Sequence, residues 1–240
     1  MLSIIATVID NLEVTRRFVS SVRQYTLGKY ELILIDNGSK DKKAIQYFRK
    51  EADQYYRFSK ITDLARVWNK GIELAGGDYI AVVNNDVVVP PNWFALLKQT
   101  LKNKNAGMVS PLTLWLIESR FKYKQLKNWN LDFVTPKPFK LRKFKEVVWG
   151  EFCVFRRKVL IDVGGYNEVY KRLHAEDLEV VFQLFNKGYD VWVDPRVFVY
   201  HQGGASHIKS IISLREEDKY QTENWELFKS RWPKYTKGWK

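Results

Sequence analysis

The chain has 240 residues, 45% of them hydrophobic, with 40 Lys and Arg against 27 Asp and Glu and a formal net charge of +13. That length fits one α/β domain with a substantial core, and the apolar content excludes disorder as the default. The single cysteine, Cys153, excludes an internal disulfide, and no Cys/His cluster points to structural zinc. No run of 18 apolar residues is present for a membrane span, and no basic region precedes the short apolar run at the start. A secretory signal is therefore not expected, and the cytoplasm is the expected compartment.

In chain order, Ser3 to Ile9 reads as a short strand running into the polar turn Asp10-Asn11, followed by a helix from about Leu12 to Tyr25. Tyr30 to Ile35 is a second strand, ending in Asp36 and the turn Asn37-Gly38-Ser39. A helix is expected from about Thr62 to Ala75 with Thr62 as its N-cap; Arg66 and Asn69, three apart, share one face of it. Gly76-Gly77 stop that helix, and the apolar, β-prone run Asp78 to Asn84 reads as a buried strand ending at Asn85 and the lone carboxylate of Asp86. Ligands collect beyond the carboxyl ends of parallel strands, where Asp86 is a hard oxygen donor for Mg²⁺ or Mn²⁺.

The second half supplies two further features. After Gly164-Gly165-Tyr166-Asn167-Glu168 comes His174-Ala175-Glu176-Asp177, and Leu178, Val181, Phe182 and Phe185 then recur at helical spacing until Gly188. Glu176 and Asp177 fall in the first turn, where the helix dipole favours carboxylates. Later, Val197 to Tyr200 reads as a strand that delivers His201 to the loop Gln202-Gly203-Gly204. Cys153, in Gly150-Glu151-Phe152-Cys153-Val154-Phe155, reads as part of a core strand. Strands and helices alternate to about residue 110, the pattern of a mostly parallel sheet, and mixed strands complete it later.

These motifs, in this order, resemble those of the family-2 inverting glycosyltransferases of GT-A fold, over about residues 1–206. The resemblance implies a Rossmann-like central mixed sheet flanked by helices. It implies a nucleotide-binding half over 1–110 and an acceptor and catalytic half over 111–206, with 207–240 a basic, Trp-rich helical tail. It makes Asp177 the general base and has Glu176 position the acceptor or the base. It places Thr7, Val8 and Asp10 against the nucleotide, Asp36 on its base, and Arg66, Asn69 and Asn85 in the donor crevice. Asp86 and His201 become the ligands of a divalent cation, Mn²⁺ or Mg²⁺. UDP- or dTDP-sugars are the favoured donors, because Asp36 could accept from a pyrimidine N3–H. Two departures stand out: Ala6-Thr7 replaces the proline usual in the first motif, and Asn84-Asn85-Asp86 offers one acid where two are common. One carboxylate implies weaker cation binding and heavier reliance on His201.

Each residue also has a plainer reading. Glu176 and Asp177 could simply cap a helix, Asp10 and Asp36 could be turn formers, and Arg66, Asn69 and His201 could be surface or structural residues. His174 could help cap the helix or contact the acceptor.

The charge is uneven. Residues 112–145 hold nine Lys or Arg against two acids, and the last twelve residues add Lys229, Arg231, Lys234, Lys237 and Lys240, with Trp232, Tyr235 and Trp239 between them. Basic and aromatic residues mixed in this way suit an anionic membrane face or single-stranded nucleic acid. The family resemblance instead implies that 112–145 forms the acceptor site, which favours an anionic or lipid-linked acceptor and disfavours nucleic acid. The plainer alternative turns the aromatic rings into the core. Two rival functions stand beside the transferase. A sugar nucleotidyltransferase needs a glycine-rich basic loop after the first strand, and Asp10-Asn11-Leu12-Glu13 has neither. A non-catalytic module for anionic surfaces or nucleic acid would explain the charge but not the acids.

Overall fold

The computed structural model describes residues 1–113, 137–146, 148, 150–201 and 214–239. Much of the basic segment 112–145, and the Gly203-Gly204 loop, lie outside the described residues.

The sheet has β1 (Leu2–Val8), β2 (Tyr30–Asp36), β3 (Gln54–Arg57), β4 (Tyr79–Asn84), β5 (Val87–Val88), β6 (Ala106–Thr113), β7 (Phe139–Lys140), β8 (Phe152–Arg156) and β9 (Asp190–His201). Their order is β3-β2-β1-β4-β8-β6-β9-β5, with β7 paired to β9. The first four strands are mutually parallel, β8 runs antiparallel to both β4 and β6, and β9 is parallel to β6. The sheet is therefore mixed and mostly parallel. The carboxyl ends of β1, β2, β4 and β9 and the amino end of β8 meet along one edge. The order reverses between β1 and β4, the switch point at which open α/β sheets bind ligands.

Alternation along the strands builds a core on each face. Ile4, Ala6 and Val8 pack with Leu32 and Leu34 against α1 (Leu12–Tyr25), α2 (Lys42–Glu51) and α4 (Trp93–Leu101), through Phe18, Phe48, Trp93 and Leu97. Ile5, Ile33 and Ile35 face α3 (Leu64–Leu74), α5 (Arg157–Asp162) and α6 (Glu176–Asn186). Cys153 is buried in β8, as expected.

Helix α3 begins two residues later than the sequence reading placed it. Asp63, not Thr62, is at its cap, and Asp63 makes no side-chain cap bond. The Thr62 amide instead donates to Asn37 Oδ1 at 2.8 Å, tying the segment to the end of β2.

The carboxyl end of the chain forms α7 (Leu214–Arg231) and α8 (Pro233–Thr236). Phe182 of α6 makes edge contacts with Phe228, Trp232 and Trp239, and Phe144 stacks on Tyr235 with centroids 3.6 Å apart. The rings of Trp232, Tyr235 and Trp239 thus pack against the core.

Candidate active site

Asp86 follows β4, and His201 ends β9; the antiparallel pairing of β5 with β9, Val87 opposite His201, brings them together. His201 Nε2 lies 3.0 Å from Asp86 Oδ1, the carboxylate being almost fully buried. Among the described residues Asp86 Oδ1 has no other partner within hydrogen-bond reach. A buried carboxylate oxygen without another donor, facing an imidazole nitrogen, is a donor pair that a divalent cation could join. Among the described residues no cluster of three or more His, Cys, Asp or Glu forms, so further ligands would come from a bound diphosphate or water. Burial acts most strongly on His201, lowering its pKa, but the Asp86 carboxylate outweighs it and the net shift is upward from 6.5.

Asp177 stands at the head of α6. Its Oδ2 accepts from Gly150 N at 2.8 Å and its Oδ1 from Leu178 N at 2.8 Å. Burial raises its pKa to about 6 against the pull of those two amides, with the Glu151 charge adding to the rise. Glu176, 7% exposed and with Oε2 unpartnered, is pushed to about 8 by burial and then by Asp177. Burial raises both carboxyls above the ordinary range, Glu176 further because of the neighbouring Asp177, so the two titrate as a pair. An elevated pair of this kind suits a base working near neutrality.

Glu151 is a site acid that the sequence reading did not single out. It is buried, its carboxylate accepts from Thr113 Oγ1 at 2.7 Å, and its carbonyl accepts from Asn84 N at 2.9 Å. Its charge acts on both Asp177 and His201, so the two halves of the site share one electrostatic environment. The signal was an acid directly before an apolar strand.

At the ends of β1 and β2, Thr7 Oγ1 is buried without a partner, and Val8 O accepts from Asn37 N at 2.8 Å. Asp10, at φ 42°, accepts from Lys40 N and Asp41 N at 2.8 and 2.7 Å, fixing the turn after β2. Asp36 is fully buried; it accepts from Ser39 N and Tyr55 Oη and pairs with Arg57 Nε at 3.3 Å. The chain itself therefore uses most of the capacity with which Asp36 was to read a pyrimidine.

Two asparagines are held by partners within the chain. Asn69 Nδ2 donates to Tyr166 O and Glu168 Oε1, and Tyr166 N donates back to Asn69 Oδ1, so Asn69 braces the Gly-Gly-Tyr turn. Gly165 is required there, since its φ is +69° and a Cβ would stand 2.7 Å from Asn69 Oδ1. Asn85 is buried and donates to Thr15 Oγ1 at 2.9 Å, fastening the turn after β4 to α1. Arg66 is exposed and forms no ion pair among the described residues.

The mixed, mostly parallel sheet flanked by helices is that of the GT-A glycosyltransferases. The sequence profile of glycosyl transferase family 2 matches residues 3–164. The chain belongs to that family. GalNAc-T7 solved with UDP, GalNAc and Mn²⁺ shares the fold with a TM-score of 0.74 at 17% identity, covering 98% of this chain and 50% of that one. The mannosyltransferase PcManGT of Pyrobaculum calidifontis, solved with GDP-Man and Mn²⁺, gives 0.65 at 16% identity over 85% of this chain and 58% of that one. Glucosyl-dolichyl phosphate glucuronosyltransferase of Haloferax volcanii is 24% identical, covering 91% of this chain and 70% of that protein. Uncharacterized protein y4gI of Sinorhizobium fredii is 24% identical over 98% of this chain, which spans only 28% of its length.

Proposed function

We propose that the protein is an inverting glycosyltransferase that moves a sugar from a nucleoside-diphosphate sugar to an acceptor hydroxyl. The observation that carries this is the amide-held Asp177 carboxylate at the head of α6, set on the same sheet edge as the Asp86–His201 pair. Asp177 takes the acceptor proton as the acceptor oxygen attacks the anomeric carbon, and the bond from that carbon to the diphosphate oxygen breaks on the opposite face. A positioned base of this kind contributes about 10²–10⁴-fold in rate. Glu176, protonated at neutral pH, keeps a second charge away from the base.

Asp86 and His201 would hold a divalent cation, which when bound supplies Lewis-acid stabilisation to the departing diphosphate. Arg66, exposed on the first turn of α3, is available to pair with a phosphate. Thr7, with its unpartnered hydroxyl, is the strongest donor contact from β1. The filled Asp36 gives no reason to prefer a pyrimidine, and the two solved relatives bind UDP and GDP-mannose.

For the acceptor, a lipid-linked phosphate or sugar is the reading with support. The Haloferax relative is named for glucosyl-dolichyl phosphate. Beside His201, Val88, Phe198 and Tyr200 are 38%, 44% and 55% exposed, an apolar strip that a lipid chain could cover.

The test is turnover of a panel of UDP-, dTDP- and GDP-sugars with Mn²⁺, offering short polyprenyl phosphates as acceptors and reading the anomeric configuration of the product by NMR. Inverted product from one donor is expected. Retained configuration would overturn the mechanism, and no release of nucleoside diphosphate from any donor would overturn the activity.

A further inference from the structure

The segment entering α6 is strained. Arg172, His174 and Ala175 have φ of 62°, 79° and 72°, the left-handed region that non-glycine residues avoid. Each persists only where the surroundings over-determine the backbone. Two sets of bonds do so here. From the start of α3, Asp63 Oδ1 accepts from Arg172 N, and Leu64 N donates to Arg172 O, both at 2.8 Å. From α7, Asn224 holds the other side.

Asn224 is 3% exposed. Its Nδ2 donates to Lys171 O, Leu173 O and His174 O at 2.7, 2.9 and 3.3 Å, and its Oδ1 accepts from Lys171 N at 3.2 Å. One buried amide thus spends both its donors and its acceptor on this loop. An aspartate would set a carboxylate against three carbonyls, and a leucine would leave those carbonyls without a donor. Helix α7 is itself pinned to α6: Arg231 Nε and Nη2 donate to Glu179 Oε1 at 3.0 and 2.8 Å, and Trp232 Nε1 to Oε2 at 2.7 Å. Glu179 is fully buried and lies in the first turn of α6, with Glu176 and Asp177. All of α7 lies beyond residue 164, where the family match ends.

We infer that Asn224 is a positioning residue for transfer, holding the left-handed loop through the Lys171, Leu173 and His174 carbonyls so that Asp177 meets the acceptor hydroxyl. This rests on the reading of Asp177 as the base. Displacing a reacting group by about 1 Å costs on the order of 10² in rate, so a loosened loop is expected to act on turnover and not on donor binding.

The experiment compares wild type, N224A and D177N in three measurements: UDP and GDP binding with Mn²⁺ by calorimetry, nucleoside-diphosphate release from the sugar-nucleotide panel, and amide hydrogen exchange. For N224A, nucleotide affinity equal to wild type is expected, with kcat lower by about 10²-fold and protection lost over residues 171–178 alone. The acid limb of kcat/KM should also move to lower pH as water reaches the Glu176–Asp177 pair. Wild-type kcat in N224A, or unchanged protection of 171–178, would overturn the inference. So would loss of nucleotide binding together with turnover, which marks a general structural role. If N224A fails to fold, the substitution is made on an Ala175→Gly background, where glycine accepts the left-handed conformation, and the same outcomes apply. Full turnover by D177N would overturn the base assignment instead, separating the two failures.

Discussion

The Gly150 amide donates to Asp177 Oδ2 at 2.8 Å, and a Cβ placed on residue 150 would stand 2.8 Å from Asp177 Cβ. The amino end of β8 and the head of α6 therefore meet with room for a hydrogen atom and nothing larger. Gly150→Ala is expected to push Asp177 off its position and lower turnover by about 10²-fold, leaving nucleoside-diphosphate affinity as in wild type. Calorimetry alongside product release checks this; unchanged turnover would mean that the position of Asp177 does not set the rate.

The acid pair predicts a pH dependence of rate. Asp177 must be ionised to accept a proton, so kcat/KM should rise with pH through about 6, above the ordinary aspartate range. Glu151 contributes to that elevation, so Glu151→Gln should move the limb to lower pH. A pH–rate profile of both proteins tests the point, and coincident limbs would remove Glu151 from the electrostatics of the base.

Stability should depend on pH through the same pair. The folded-state pKa of Glu176, about 8, lies above the ordinary value of 4.5, so the folded protein binds the proton more tightly. Stability is then greatest below about 4.5 and falls as pH rises toward about 8, each unit of upward shift costing about 1.4 kcal/mol. Glu176→Gln carries no such charge and should melt above wild type at pH 9, the difference closing by pH 4.5. Melting temperatures across that range measure it; parallel curves would contradict the buried, protonated state.

Phe182 joins the aromatic rings of the carboxyl-terminal segment to α6. Phe182→Ala should cost about 3–5 kcal/mol in denaturant unfolding and expose Trp232 and Trp239 to fluorescence quenchers. A loss under about 1 kcal/mol would mean that this segment is not part of the core.

The strands β1, β2 and β4 and the helices α1, α3 and α6 were legible because strand periodicity, helical spacing and glycine stops are local signals. Asp86, Asp177 and His201 stood out as candidates because each ends or begins an apolar run. Polar residues at the same edge were harder. Asn69 and Asn85 occupy positions where an amide serves a ligand or a neighbouring turn equally well, and only the partners Tyr166 and Thr15 decide which. Asn224 gave no local signal, since its partners lie 50 to 53 residues away. The tail's alternation of Trp and Lys fits a membrane face and a packed helix alike; in the fold the rings of Phe228 and Trp232 pack on Phe182.

The central claim is that Asp86 and His201 hold a cation that binds the donor diphosphate. Calorimetry of UDP, dTDP and GDP, with and without Mn²⁺, on wild type and Asp86→Ala tests it most directly. The account predicts that one nucleotide binds wild type only with Mn²⁺ and that Asp86→Ala abolishes the Mn²⁺ dependence. Equal binding by both proteins, or no binding of any nucleotide in either condition, would contradict it.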